Sequence, residues 1–233
     1  MDTTRIIGIT FGIRYVRSFR IPDISGNIVD DILNGDSTPF GGKLYPLIQE
    51  PRSREKILSN PKTNDYLRIN TDDLIMGVTI NENFDKQYGW FLDNAIPFIE
   101  NHIFAEYKIK NILRIGIIFH HKLSKNDKIQ KIIGEITNEK LTSSENINLN
   151  FSKRLATTQG LIKKGVEDYK NTIYTLAEVK KDLFADIDYQ HYFKPVMEDL
   201  RECKTKEIAR NAKTFMIDNF YPWLSEYEKK NRS

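Results

Sequence analysis

The stretch from Asn111 to His121 constrains the fold of this chain more than any other, because Ile112, Leu113, Ile115, Ile117, Ile118 and Phe119 leave it almost no polar side to turn to water. The run is too short to span a membrane and too rich in β-branched residues for a surface helix, so it predicts a central strand covered on both faces. A strand of that kind needs a sheet around it, and the flanking sequence supplies the candidates. Arg5 to Val16 is rich in Ile, Phe, Tyr and Val and predicts a first strand. Leu44 to Gln49, Lys56 to Ser59, Tyr66 to Asn70 and Leu74 to Ile80 are separated by Pro51, by Asn60 with Pro61 and by the Thr71 to Asp73 cluster, which predicts an antiparallel meander. Further along, Ile147 to Ala156, Gly160 to Glu167, Thr172 to Lys180 and Leu183 to Gln190 predict three or four more strands.

Helical spacing interrupts these strands at four places. Pro22 to Leu33 carries Ile24, Ile28, Val29 and Ile32 and ends at Asn34 and Gly35. From about Asp85 to about Glu106, Tyr88, Phe91, Leu92, Ala95, Ile96, Ile99 and Ile103 share one broad face. Ser124 caps a shorter periodic stretch with Ile129, Ile132, Ile133 and Ile136, and Pro195 to Tyr227 carries a stripe of Ile208, Ala212, Phe215, Met216, Phe220 and Trp223. The order predicts an α+β fold of mostly antiparallel sheets with helices on one face. It reads as two ferredoxin-like halves, residues 1–122 and 123–233, or as one continuous domain. No residue-level repeat between the halves is evident in the sequence, so a duplication is only suspected.

Composition excludes several classes. Thirty-five basic residues against thirty-two acidic ones leave a net charge of +3, which makes no strong overall appeal to nucleic acid or an anionic membrane. Cys203 is the single cysteine, so neither an intrachain disulfide nor a cysteine-based zinc site is available. Met1 to Thr10 lacks the pattern of a secretory signal, and no run of about 18 apolar residues occurs, so a soluble cytoplasmic protein without membrane contact is expected. No motif calls for a cofactor: Gly41, Gly42 and Lys43 lack the remainder of a P-loop, and no glycine fingerprint for a dinucleotide follows the first strand.

Several of these elements together resemble a sporadically distributed, functionally uncharacterised family of bacterial proteins of similar length. They are the opening strand Gly8 to Val16, the Tyr45 and Pro46 pair, Tyr88 and Trp90 near the start of the long helix, Leu113 to His121, Asp186 to Asp188, and the long C-terminal helix. Members of that family carry an Arg-Tyr-x-Asn run where this chain has Ile117, Ile118, Phe119 and His120. The resemblance implies a coherent fold spanning nearly the whole chain and brings no activity with it. Its sporadic distribution suggests a bacterial defence or stress locus.

Four constellations are candidates for function. Asp186 and Asp188 lie two apart on a predicted strand, so both carboxylates share a face and could hold a divalent cation in a nuclease, provided a third ligand joins them. The bland alternative turns Ala185, Ile187 and Tyr189 to the core and the aspartates to water. His120 and His121 are adjacent and point to opposite faces, so at most one of them can serve a given site, and His102 and His191 join only if the fold gathers them. Arg14, Arg17 and Arg20, beside Tyr15 and Phe19, together with Lys153, Arg154, Lys163, Lys164, Lys180 and Lys181, suggest a nucleic-acid-binding face. Glu167, Asp168, Glu178 and Asp182 interleave with the later cations. Phe220, Tyr221, Trp223 and Tyr227 offer an aromatic patch for a protein partner or self-association. Without a nucleophile elbow, the leading expectation is a non-catalytic protein acting through a protein partner or its own copy. A nucleic-acid module and a metal-dependent nuclease are the alternatives.

Overall fold

The computed structural model describes residues 6–35, 44–46, 55–123, 146–156, 168–179 and 182–222. In chain order the elements are β1 (Ile6–Tyr15), α1 (Ile21–Asn34), β2 (Tyr45–Pro46), β3 (Lys56–Ser59), β4 (Tyr66–Ile69) and β5 (Asp73–Thr79). A long helix α2 follows, α-helical over Phe84–Trp90 and Ile96–Phe98 and π-helical over Phe91–Ala95 and Ile99–Ala105. Then come β6 (Ile112–Leu123), β7 (Asn146–Ala156), β8 (Tyr169–Val179) and β9 (Asp182–Met197). A 3-10 turn (Leu200–Cys203) leads into α3 (Thr205–Phe215), which a π-helical turn, Met216–Phe220, prolongs. The helix expected after Ser124 and the strand expected at Gly160 to Glu167 lie outside the described residues, as do Lys163, Lys164, Lys180 and Lys181.

All nine strands form one sheet in the order β2-β3-β4-β5-β1-β6-β9-β8-β7, and every pairing is antiparallel. The α+β architecture is the one the pattern predicts. Within it, β1, α1, β4, β5, α2 and β6 follow the β-α-β-β-α-β path of a ferredoxin-like unit, with β2 and β3 added at the edge. The boundary expected after residue 122 does not interrupt the sheet, because β6 pairs with β9 from Ile112 to Leu123.

At the sheet's centre Gly12 of β1 stands opposite Gly116 of β6. Outward from this pair the arrangement repeats: β1 is flanked by β5, the strand before α2, and β6 by β9, the strand before α3. Aligned on the two glycines, Ile9-Thr10-Phe11-Gly12-Ile13-Arg14-Tyr15 matches Leu113-Arg114-Ile115-Gly116-Ile117-Ile118-Phe119 in its apolar alternation.

Side chains alternate with the two-residue period of a strand. Ile9, Phe11, Ile13 and Tyr15 of β1 are buried, as are Ile115, Ile117, Phe119 and His121 of β6 and Ala185, Ile187 and Tyr189 of β9. The helices pack on this face, as ring contacts show between Phe11 and Phe91, Tyr15 and Phe104, Phe119 and Tyr88, and Tyr189 and Phe215. The Tyr88 hydroxyl crosses between helices to donate to the Ala209 carbonyl at 2.6 Å. Among the described residues no helix lies on the opposite face. That corrects one expectation: β6 is covered on one face by helices, while Arg114, Gly116, Ile118 and His120 look the other way and are only half-buried.

A second correction concerns the C-terminal helix. Pro195 lies within β9, and α3 starts at Thr205. A proline suits a first helical turn and a strand end alike; pairing decides here, with Met197 opposite Ile112 and the Asn111 N–H donating to the Glu198 carbonyl at 3.1 Å.

Candidate functional site

Of the polar residues singled out in the sequence, the helix-free face carries Arg14, His120, Arg154, Asp186 and Asp188, and β-pairing decides which of them meet. Arg14 and Arg114 are directly opposed across β1 and β6, and Arg114 is in turn level with Tyr192 of β9, which is level with Tyr169 of β8. Tyr169 and Tyr192 stack with centroids 4.4 Å apart and planes 8° from parallel. Arg154 of β7 lies over the Tyr169 ring at 4.5 Å, and Arg114 lies 5.5 Å from the Tyr192 centroid. The result is a band across five adjacent strands in the order Arg154, Tyr169, Tyr192, Arg114, Arg14.

Hydrogen bonds fix this band from one side. Arg114 Nη1 donates to the Tyr192 hydroxyl at 3.2 Å, and that hydroxyl donates to Gln190 Oε1 at 2.9 Å. Asn171 Nδ2 donates to the same oxygen at 3.2 Å, while Gln190 Nε2 donates to Asp188. Burial raises the Asp188 carboxyl to about 6, and the Asp186 charge adds to the rise; the Gln190 hydrogen bond and Arg114 oppose it. Asp188 therefore gains its charge only as pH rises through about 6.

Two of the band's cations, Arg114 and Arg154, lie against aromatic rings. On β4, by contrast, Arg68 sits 3.3 Å from Glu55 and 3.2 Å from Asp73, and on β6 Lys122 pairs with Asp182 at 2.9 Å. Arg14 is intermediate, 52% exposed and 3.6 Å from Asp72. Two like charges directly opposed in a ladder destabilise it, so the Arg14 and Arg114 pair is a local cost.

Asp186 and Asp188 share the open face as the strand period requires, with Ala185, Ile187 and Tyr189 in the core. Each carboxylate already has a partner: His120 Nδ1 lies 3.0 Å from Asp186 Oδ1, and Gln190 binds Asp188. Among the described residues no group of three or more His, Cys, Asp or Glu side chains is placed to hold a metal ion. His120 also lies 2.8 Å from the Thr10 hydroxyl through Nε2. With Nδ1–H donated to Asp186, Nε2 accepts from Thr10, giving a hydroxyl, imidazole and carboxylate in line across β1, β6 and β9. Around Thr10 the backbone of β1 is paired with β5 and β6 on either side.

The paired histidines part as expected. His121 is buried on the helix side between Phe220 and Tyr221, with Nδ1 near the Phe119 and Ala185 carbonyls at 3.1 Å each and Nε2 3.3 Å from the Tyr221 hydroxyl. Burial depresses its pKa to about 4. His102 packs on Phe98, and His191 bonds Asp168 at 3.1 Å on the helix-covered side, so the four histidines are not brought together.

Two of the four C-terminal aromatics offered as a partner patch are described, and they are not exposed. Phe220 and Tyr221 belong to the core, because the stripe that Ile208, Ala212 and Met216 begin carries straight on to them. Trp223 and Tyr227 lie outside the described residues. Arg17 and Arg20 leave the strand that carries Arg14 and sit exposed in the loop before α1.

No helix among the described residues is long and apolar enough to cross a membrane. No protein-family model matches the chain, and neither does any curated protein. The solved structure described as Methanococcus jannaschii TBP is similar over 90% of this chain and 98% of its own, at 7% identity and a TM-score of 0.28, a likeness too slight to carry an argument.

Proposed function

We propose that this chain is a non-catalytic, cytoplasmic binding protein whose helix-free sheet face takes single-stranded nucleic acid. The observation that carries the reading is the band of Arg154, Tyr169, Tyr192, Arg114 and Arg14, in which the rings of Tyr169 and Tyr192 orient the guanidinium groups of Arg154 and Arg114. Phosphates need cations that no carboxylate has claimed, and bases need flat groups at the same surface. At about 4.8 Å per strand the five strands of the band span roughly 19 Å, which suits a short extended stretch of one strand. A duplex would read differently, since a flat sheet face presents nothing to enter a groove.

A protein partner was the leading expectation, but Phe220 and Tyr221, two of the residues offered for it, are in the core. A nuclease centred on Asp186 and Asp188 has its carboxylates engaged by His120 and Gln190.

The test is fluorescence anisotropy with labelled single-stranded RNA and DNA oligomers, starting at about 50 mM salt and raising it. The expected result is saturable binding whose logarithm falls linearly with log salt at about −0.7 per phosphate neutralised. No anisotropy change at the lowest salt overturns the proposal.

A further inference from the structure

Beyond the end of β1 the chain builds a second basic feature that the band does not use. Residues Val16 to Ile21 and Tyr107 to Asn111 enclose a hollow of about 400 Å³. Its walls are tied to the sheet: the Val16 N–H donates to the Asn111 carbonyl at 2.9 Å, and the Ser18 N–H to the Thr71 carbonyl at 3.0 Å. The far wall is a turn with two non-glycine residues in the left-handed region, Lys108 at φ 53° and Asn111 at φ 64°. Asn adopts this conformation readily, whereas Lys108 is strained in it. The turn is nonetheless held by the Lys108 N–H to the Ala105 carbonyl, the Ile109 N–H to the Phe104 carbonyl and the Asn111 N–H to the Glu198 carbonyl.

Four cations line this hollow, Arg17, Arg20, Lys108 and Lys110. Lys110 is matched by Glu198 at 2.6 Å, whereas Arg17, Arg20 and Lys108 have no carboxylate partner among the described residues. The carboxylates nearest in sequence are Asp23, in the first turn of α1, and Glu106; Asp31 is taken by the Tyr107 hydroxyl. Between Arg17 and Arg20 stands Phe19, 85% exposed, which no core contact explains. Three unmatched cations and one bare aromatic ring around a hollow are the donor set for an anion attached to a flat ring. The hollow begins two residues beyond Arg14, where the band ends.

We infer that this hollow is a phosphate-monoester site that grips the phosphorylated end of the bound strand, with the terminal base against Phe19. The inference rests on the reading of the sheet face as a nucleic-acid surface. It adds that the protein senses strand ends, and it gives Arg17 and Arg20 a role separate from that of Arg14.

The experiment compares three oligomers of one sequence, labelled internally, with a 5′-phosphate, a 3′-phosphate or hydroxyl groups at both ends. Each is titrated by anisotropy against the parent chain, against R17A/R20A and against F19A. These exposed positions leave the fold intact, which far-UV circular dichroism checks. The parent is expected to bind one of the phosphorylated ends about tenfold tighter than the hydroxyl-ended oligomer. R17A/R20A should erase that increment while keeping the hydroxyl-ended affinity, and F19A should reduce it. Equal binding of all three oligomers by the parent, or an increment that survives in R17A/R20A, overturns the end-gripping site and leaves the sheet-face reading standing. Failure of every oligomer to bind overturns both.

Discussion

On the two sides of the β1 and β6 pair, one strand framework presents two different open faces. On the β5, β4 and β3 side the exposed-face arginine, Arg68, is closed off by Glu55 and Asp73. On the β9, β8 and β7 side the corresponding cations, Arg114 and Arg154, lie against Tyr192 and Tyr169. The helix-covered faces of the two sides do not differ in this way, since both are lined by large apolar and aromatic residues in ring contact. Packing holds the framework in common, and the two open faces differ in whether an acid or a ring stands beside the arginine.

The largest effect tests whether the two sides are one unit. Phe119 lies on the central strand against Phe84 and Tyr88, and Phe119→Ala should cost ~3–5 kcal/mol. If the sheet is one cooperative structure, urea unfolding followed by tryptophan fluorescence and by far-UV circular dichroism shifts as a single coincident transition. Two separated transitions would make the sides independent domains and break the comparison.

Acid should weaken the packing of the C-terminal helix on β6, because His121 is buried there under Phe220 and Tyr221. Its pKa is lowered from 6.5 to about 4, so the unfolded chain takes up this proton first. The stability His121 contributes is complete above 6.5 and is lost as pH falls towards 4. Thermal melts between those limits should show a falling midpoint that His121→Gln flattens; an unchanged slope in that variant contradicts the assignment.

Two smaller effects sharpen the contrast on the open face. Tyr169→Ala removes the ring between Arg154 and Tyr192, and should weaken oligomer binding about three- to fivefold with little change in the salt slope. Asp188 gains its charge as pH rises through about 6, so binding should weaken by about twofold across that point beyond the general trend. Asp188→Asn should remove this step when affinity is measured at pH 5 and pH 7.

Much of the fold was legible in the sequence, and the reason is periodicity. The two-residue alternation of β1 and β9 and the three- and four-residue spacing of α2 survive in the structure nearly where they are expected. Pro195 misled because the residue suits a helix start as well as a strand end, and only pairing with β6 tells them apart. Of the candidate site residues, the shared face of Asp186 with Asp188 and the parting of His120 from His121 follow from parity alone. The band does not. Arg114 is hidden in the most apolar strand of the chain, and Tyr169 and Tyr192 meet it only through the registers of β8 and β9. A sequence alignment of β1 with β6 on Gly12 and Gly116 is a signal that could have marked Arg114, by matching it to Thr10 as an outward position.

The central claim is that ring-held arginines bind and acid-held ones do not. The most direct measurement is the affinity of a single-stranded oligomer at about 50 mM salt for three proteins: the parent, R114A/R154A and R68A. The account predicts a loss of about tenfold or more and a shallower salt slope in R114A/R154A, with R68A within about twofold of the parent. Equal losses in the two variants, or none in R114A/R154A, would contradict it.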